Sequence, residues 1–133
     1  MPLYYFAYGS NLSKKQMQER CPESRPLFTA TLHNYKLIFV GWSRQWRGGV
    51  ATIRRVTGQK VHGAIYEVTE ECLRRLDKFE GSDAQHLKVL VHDEDGKALE
   101  AVTYIKIRQV EETRPSEAYA SIIRQGYKDW GIA

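Results

Sequence analysis

The sequence predicts an α+β fold, a small mixed β-barrel with flanking helices, in a single domain that spans residues 1–133. Short segments rich in β-forming residues recur at regular spacing, as expected for five or six strands. Segments that begin and end with helix-capping residues lie between and after them. A chain of 133 residues with 42% hydrophobic content is long enough for one packed core.

The N-terminal part predicts a strand, a turn, a helix and a second strand. Leu3–Ala7 is apolar and aromatic, which predicts a short buried strand, and Tyr8–Asn11 contains turn-forming residues. Ser13–Arg20 is expected to be a short helix that is ended by Pro22. Thr31–Val40 alternates loosely and is rich in β-forming residues, which predicts the next strand.

Two hairpins are predicted from glycine-containing turns. The first joins Gly48–Val56 to Lys60–Val68 around the Thr-Gly pair that ends at Gly58. The second joins Leu87–His92 to Ala98–Ile107 around an Asp-Gly pair, which is typical of tight hairpin turns.

Two further helices are predicted from their capping residues. Thr69–Gly81 has a threonine at the N-cap, two glutamates in the first turn and a glycine at the C-terminal end. The last helix is expected over Glu117–Gln125, with Ser116 as its N-cap and Gly126 as its end.

Composition limits the partners and the location that are expected. A net charge of +4 suits either a nucleic acid or a small acidic substrate. The basic residues form no run and no RNA-binding aromatic motif is present, which argues against nucleic acid as the main partner. No apolar stretch has the length of a membrane span and the N-terminus has no basic leader, so a cytoplasmic location is expected. The sequence does not indicate an oligomeric state.

Cysteine and histidine spacing predicts neither a metal nor a cofactor. Cys21 and Cys72 lie far apart without metal-site spacing, so two reduced thiols are expected. The four histidines show no pattern of zinc ligands. Ser10 lies outside any nucleophile-elbow motif, so a catalytic triad is not supported.

The turn Tyr8–Asn11 is the first candidate site. Gly9 permits a sharp turn, and the helix start that follows leaves amide N–H groups without acceptors. Such a turn can bind an anion through backbone donors. An ordinary strand-to-helix turn capped by Asn11 or Ser13 explains the same residues and is the commoner structure.

Glu80 is the second candidate. On a helix over Thr69–Gly81, Leu73, Leu76 and Glu80 share one face, so the carboxyl group continues an apolar stripe. Burial near the negative end of the helix dipole would raise its pKa towards the range that general acid–base catalysis requires. Alternatively, the helix ends earlier and Glu80 points to solvent, as most glutamates do.

Aromatic residues offer weaker candidates. Trp42 and Trp46 flank two arginines before a glycine pair, in a loop that is either a lid over substrate or a surface loop. Tyr119 on the last helix is most simply explained by core packing.

Four segments resemble the γ-glutamylcyclotransferase-like family. The two specific ones are the YFAYGSNL string at Tyr5–Leu12 and the Leu-Asp-x-x-Glu-Gly segment at Leu76–Gly81. Gly48–Thr52 resembles the family's glycine pair before a strand, and Pro115–Tyr119 resembles the start of its closing helix. The family usually has a tyrosine six or seven residues after the Glu-Gly pair, where this chain has His86 and Leu87.

The resemblance implies an enzyme that needs no metal or cofactor and that releases 5-oxoproline from a small γ-glutamyl amine or γ-glutamyl amino acid. Glu80 would be the general acid and base. Substrate-binding roles are implied for Tyr8, Gly9, Ser10, Asn11, Leu12, Gly49 and Tyr119. The alternative is a non-catalytic module that binds a small acidic metabolite in the same pocket, because fold membership alone does not establish catalysis.

Overall fold

Five strands close into a barrel in the computed structural model, which describes residues 2–108 and 111–132. The strands in chain order are β1 (Leu3–Ala7), β2 (Arg25–Ser43), β3 (Gly48–Val68), β4 (Ala84–Asp93) and β5 (Ala98–Lys106). Around the barrel the order is β1, β3, β2, β4, β5, and β5 lies beside β1. The β1–β5 pair is parallel and the other neighbouring pairs are antiparallel, which confirms the predicted mixed barrel.

In the described part of the chain, three α-helices cover the barrel: α1 (Lys14–Arg20), α2 (Glu70–Glu80) and α3 (Glu117–Trp130). Each begins after a side-chain cap, in which Ser13, Thr69 or Ser116 accepts a hydrogen bond from a backbone N–H. A short 3-10 helix over Ser10–Leu12 precedes α1. Within the described residues, no helix has both the length and the apolar character that crossing a membrane requires.

The predicted end of α3 at Gly126 is wrong. The helix continues through Gly126 to Trp130 and ends at Gly131, whose φ of 68° is left-handed. A Cβ on Gly126 would lie only 2.5 Å from the Cβ of Leu12. Gly126 therefore serves the close contact of α3 with the 3-10 helix rather than a helix cap.

The predicted hairpin around Gly58 is also wrong, because both of its halves belong to the single long strand β3. The two halves pair with the same neighbour, β2, in registers such as Leu37↔Ile53 and Leu32↔Val61. Between them the register shifts at Asn34, whose Oδ1 accepts a hydrogen bond from the N–H of Gly58 at 3.0 Å. The Thr-Gly pair thus forms an irregularity in a continuous strand.

Strand β2 is longer than expected, whereas the hairpin of β4 and β5 is confirmed. The predicted strand Thr31–Val40 is the middle of β2, which extends further at both ends through register shifts. In the second hairpin the N–H of Gly96 donates to the carbonyl of Asp93 at 3.0 Å, and Gly96 has a φ of 80°. The Asp-Gly signal therefore identified a real turn.

Buried side chains form two clusters, one on each face of the sheet. The barrel interior contains Phe6, Ile53, Ile65 and Val91. The second cluster lies between the barrel and the helices and contains Tyr5, Leu12, Met17, Tyr66, Leu76 and Tyr104.

Cys21 and Cys72 form a disulfide in the structure, so the expectation of two reduced thiols is wrong. The bond joins the residue after α1 to the first turn of α2. Both side chains are buried in the cluster between barrel and helices. Their proximity results from the packing of these elements, which the 51-residue separation in sequence does not reveal.

Candidate active site

Glu80 is the last residue of α2 and faces a cleft in the protein surface. Leu73 and Leu76 on the same helix face are buried, as the predicted stripe requires. The helix does not end early: Gly81 caps it, and the Nζ of Lys106 donates to the carbonyl oxygen of Glu80 at 2.5 Å. The alternative in which Glu80 lies beyond a frayed helix end is therefore wrong.

The environment of Glu80 favours its neutral form. Burial raises the pKa of the Glu80 carboxyl, although the nearby Lys106 and Arg20 act in the opposite direction. Among residues 2–108 and 111–132, no cation lies within salt-bridge distance of this carboxylate. A carboxyl group with a raised pKa and no fixed partner can both accept and donate a proton.

A small recess of about 30 Å³ lies beside Glu80. Its walls come from the predicted turn, from β3, from two tyrosines of the sheet and from α3: Tyr5, Tyr8, Gly9, Ser10, Asn11, Ala51, Tyr104 and Tyr119. In the turn, the N–H of Leu12 donates to the carbonyl of Gly9 at 3.0 Å. The amides that precede Leu12 begin the 3-10 helix and have no acceptor within it.

Gly9 keeps the recess open. A Cβ built on Gly9 would lie 3.1 Å from the Cβ of Ala51 and 3.7 Å from the hydroxyl oxygen of Tyr119. Any larger side chain would therefore occupy the space between the turn and the opposite wall. The close approach of Ala51 to the turn, rather than a left-handed backbone conformation, explains why residue 9 is a glycine.

The structure gives Tyr8, Asn11 and Leu12 packing roles for their side chains. The Tyr8 hydroxyl donates to the carbonyl of Tyr104 at 2.5 Å in the barrel interior. Leu12 is fully buried, and it lines neither the recess nor the cleft. The Asn11 side chain donates to the Tyr5 hydroxyl at 3.0 Å.

Tyr119 connects the last helix to the site. Its hydroxyl oxygen accepts a hydrogen bond from the N–H of Ala51 at 3.0 Å, and its ring centroid lies 5.1 Å from that of Trp46. Burial raises the pKa of Tyr119 to about 12, so the hydroxyl is neutral at physiological pH. Tyr119 lines both the recess and the cleft.

Gly49 lies outside the site. Its N–H donates to the carbonyl of Arg114 at 2.9 Å, and a Cβ would lie 2.1 Å from the carbonyl oxygen of Thr113. Gly49 therefore permits close packing of β3 against the segment before α3. Its neighbours Val50 and Ala51 line the cleft in its place.

The cleft has a volume of about 280 Å³ and opens outward from Glu80. Trp42 near the end of β2 and Trp46 in the β2–β3 connection line it, so the two tryptophans form a wall of the cleft. Phe79 and Arg20 line it from the helices. Among the described residues, no three His, Cys, Asp or Glu side chains are grouped as metal ligands.

Sequence analysis did not single out Arg20, Tyr5 or Tyr104 as site residues. Arg20 ends α1, its Nη1 donates to the Oδ1 of Asn11 at 3.1 Å, and its guanidinium lies 4.4 Å from the centroid of the Phe79 ring. Tyr5 could have been suggested because the family string begins with it. The other two come from elements that meet the turn only in the folded chain.

His86 takes part in a polar cluster behind Glu80. Its Nε2 lies 2.7 Å from the Oδ1 of Asp77, and the Tyr104 hydroxyl donates to the same oxygen at 2.6 Å. Leu87 packs against the barrel interior. His86 and Leu87, at the positions where the family usually has a tyrosine, thus lie behind the recess wall that Tyr104 forms.

Comparison with known proteins identifies relatives in sequence and in fold. The family model for gamma-glutamyl cyclotransferase, AIG2-like proteins matches residues 5–130. The human protein gamma-glutamylcyclotransferase is 33% identical, and the match covers 96% of this chain and 71% of the human one. The bovine gamma-glutamylcyclotransferase gives the same identity and coverage. A solved structure named gamma-glutamyl cyclotransferase superimposes with a TM-score of 0.93 at 31% identity, covering 99% of this chain and 82% of that one. The chain therefore belongs to the gamma-glutamyl cyclotransferase, AIG2-like family.

Proposed function

We propose that this protein is a γ-glutamylcyclotransferase-like enzyme that converts the γ-glutamyl group of a γ-glutamyl amine or amino acid to 5-oxoproline and releases the amine. One observation carries the proposal: Glu80, whose pKa is raised and whose carboxyl forms no salt bridge with a described residue, lies where the recess meets the cleft. Family membership supports the same activity.

The reaction requires only proton transfer and positioning. The α-amino nitrogen of the substrate attacks its own γ-carbonyl carbon, a ring C–N bond forms, and the bond from that carbon to the leaving nitrogen breaks. The ring nitrogen loses two protons between ammonium and lactam, and the leaving amine gains two and departs as an ammonium ion. Glu80 accepts a proton from the attacking nitrogen and returns it to the leaving nitrogen.

The recess supplies the second requirement, which is binding of negative charge. In this proposal, backbone N–H groups at the turn of Gly9 and Ser10 bind the α-carboxylate or the oxygen of the tetrahedral intermediate. Tyr119 and Ala51 close the opposite side. Because nucleophile and carbonyl belong to one molecule, holding the substrate in a folded conformation provides much of the acceleration.

The test is a screen of γ-glutamyl compounds in which 5-oxoproline is detected by mass spectrometry. Release of 5-oxoproline together with the free amine, at a rate proportional to the amount of protein, is the expected result. Binding of 5-oxoproline without release from any compound would instead identify a non-catalytic binding module. The Glu80→Gln variant, purified in the same way, is the control for a contaminating enzyme.

A further inference from the structure

Lys106 is a largely buried lysine beside the last residue of α2. Its side chain is only 12% exposed, and it lines the cleft together with Glu80 and Asp83. The Nζ of Lys106 donates to the backbone carbonyl of Glu80 at 2.5 Å and lies 3.2 Å from the Oδ1 of Asp83. Lysines are rarely buried, and a buried cation is costly unless it is paired, so its place here indicates a specific role.

Strand β5 brings Lys106 to the end of α2. Alternate residues of a strand point to opposite sides of the sheet, so Lys106 follows Tyr104 on the side that faces the helices. The Tyr104 hydroxyl lies 3.1 Å from the carbonyl oxygen of Leu73 and donates to the Oδ1 of Asp77 at 2.6 Å. Lys106 continues this row of contacts at the carbonyl of Glu80. The last turns of α2 are therefore tied to the sheet by two successive outward residues of β5.

The contact of Lys106 is with the main chain of Glu80 and not with its carboxyl group. None of the salt bridges among the described residues includes Glu80. The last carbonyls of a helix lack donors within the helix and lie at the negative end of its dipole, which a cation complements. Asp83 supplies the carboxylate that pairs with Nζ. Lys106 thus fixes the backbone of Glu80 without occupying the group that transfers protons.

The charge of Lys106 also acts on the Glu80 carboxyl through space. Burial raises the pKa of this carboxyl, and Lys106 is the strongest influence in the opposite direction, ahead of Arg20. Asp77 and Asp83 act in the same direction as burial. The remaining titratable side chains of the two cavities are the exposed Arg108 and the neutral phenols of Tyr5, Tyr8, Tyr104 and Tyr119.

We propose that Lys106 is a positioning residue for Glu80: its amine fixes the backbone at the end of α2, and its charge keeps the carboxyl group available as a base. The inference rests on the proposed function, because it assigns the residue that prepares the proton-transferring group of that reaction. A protonated Glu80 cannot accept the proton of the attacking nitrogen. A buried carboxyl in this role needs a cation that favours its ionisation without forming an ion pair with it.

The first experiment titrates Glu80 itself by carbon NMR of the free protein, with the carboxyl signal assigned from its absence in Glu80→Gln. Lys106→Met keeps the length of the side chain and removes its charge, so the pKa of Glu80 should lie above the wild-type value. Lys106→Arg should return it towards that value. Asp83→Asn should lower the pKa, because one negative charge is removed and the partner of Lys106 is lost. Lys88→Met, which changes an exposed lysine of β4, is the matched control and should leave the titration unchanged.

The second experiment follows release of 5-oxoproline from γ-glutamyl-alanine as a function of pH. Lys106→Met should lower kcat about tenfold to a hundredfold and change KM by less than about threefold, because a displaced base transfers protons poorly while the substrate contacts remain. The acidic limb of kcat/KM, which reports ionisation of the free enzyme, should move to higher pH. Lys106→Arg should restore the limb and part of kcat.

A Glu80 carboxyl that titrates identically in wild-type and folded Lys106→Met proteins would overturn the inference, even if both release 5-oxoproline. A loss of rate by the same factor at every pH, with the acidic limb unmoved, would also overturn it, because that result indicates a structural role alone. If Lys106→Met does not fold, Asp83→Asn decides: a Glu80 pKa that stays constant or rises in that variant contradicts the inference. Absence of release by the wild-type protein from every γ-glutamyl compound would defeat the proposed function, whereas the titration needs no turnover and still decides whether Lys106 controls Glu80.

Discussion

The hydroxyl oxygen of Tyr119 lies 3.0 Å from the backbone nitrogen of Ala51 and accepts its hydrogen bond. The two residues are 68 positions apart in sequence, one in α3 and the other in β3. Their contact joins the last helix to the barrel at the point where recess and cleft meet. A single side chain thus supports the wall of the site and satisfies a strand amide.

Tyr119→Phe is expected to lower the free energy of unfolding by about 1–3 kcal/mol, because the amide of Ala51 loses its acceptor in a largely buried place. The KM for substrate should rise, because the hydrogen bond that holds Tyr119 against Ala51 in the wall of the recess is lost. Denaturant unfolding and steady-state kinetics measure the two effects. Tyr127→Phe is the control, since Tyr127 lies on the same helix, is partly buried and lines neither cavity. Equal stabilities of the two variants would show that the Ala51 contact contributes nothing.

Glu80→Gln is expected to lower kcat by at least about 10²-fold, because glutamine keeps the size of the side chain but transfers no proton. The protein should fold and bind 5-oxoproline. Glu100→Gln, an exposed glutamate on β5, controls for the loss of one negative charge. Turnover of a folded Glu80→Gln protein near that of wild type would remove Glu80 from the mechanism.

The raised pKa of Glu80 also has a consequence for stability. A carboxyl group whose pKa is higher in the folded state binds more protons there. Below the unfolded pKa of about 4.3 it is protonated in both states, so its burial does not lower the free energy of unfolding. As pH rises towards the folded pKa, the buried carboxyl lowers the free energy of unfolding by an increasing amount. Above the folded pKa this loss stays constant. Glu80→Gln should therefore be as stable as wild type or more stable at pH 8. Relative to wild type, the variant should be less stable at pH 5 than at pH 8.

Urea unfolding of both proteins at the two pH values, without ligand, measures this difference. A substrate ammonium group would lower the Glu80 pKa again, which is why the free protein is used. A Glu80→Gln protein that is much less stable than wild type at pH 8 would mean that the carboxylate has stabilising structural partners. The proton-shuttle role would then lose its physical basis.

Gly9→Val is expected to weaken binding of 5-oxoproline by at least about tenfold, because its branched side chain would fill the space between the turn and Ala51. Gly9→Ala adds only a Cβ, 3.1 Å from that of Ala51, and should have a smaller effect. Calorimetric titration of the folded variants gives the affinities. Unchanged affinity of Gly9→Val would place the γ-glutamyl head outside the recess.

Reduction of the Cys21–Cys72 disulfide is expected to lower the free energy of unfolding by about 4 kcal/mol, from the entropy of closing a 51-residue loop in the unfolded chain. Unfolding curves with and without reductant measure this change. A protein with both cysteines replaced by alanine should not respond to reductant. Two titratable thiols in the denatured, unreduced protein would show that the bond is absent.

Local chemistry was enough to predict most elements and part of the site. The apolar, aromatic segment Leu3–Ala7 is β1, and the caps at Thr69 and Gly81 bound α2 as expected. Leu73 and Leu76 predicted that Glu80 lies on the helix face that packs against the protein, because helical periodicity is a local property. These features depend on residues within a few turns of one another.

Long-range pairing decided the features that the sequence pattern misassigned. The Thr-Gly pair at Gly58 looks like a hairpin turn, yet both flanking segments find a better partner in β2, and Asn34 accommodates the irregularity. Gly126 looks like a helix end, yet α3 continues because the glycine allows close contact with Leu12. Neither partner is visible from the local sequence.

The site is likewise determined partly by local sequence signals and partly by contacts between distant elements. The turn at Gly9 and the carboxylate of Glu80 carry local signals, since one depends on a helix start and the other on a helix face. Arg20, Ala51 and Tyr119 reach that carboxylate from α1, β3 and α3, which meet only when the barrel closes. The closed barrel also withdraws Glu80 from water, which raises its pKa. Neighbouring residues specify the place of the Glu80 carboxyl on its helix face, whereas its raised pKa and the cavities beside it arise from burial between distant elements.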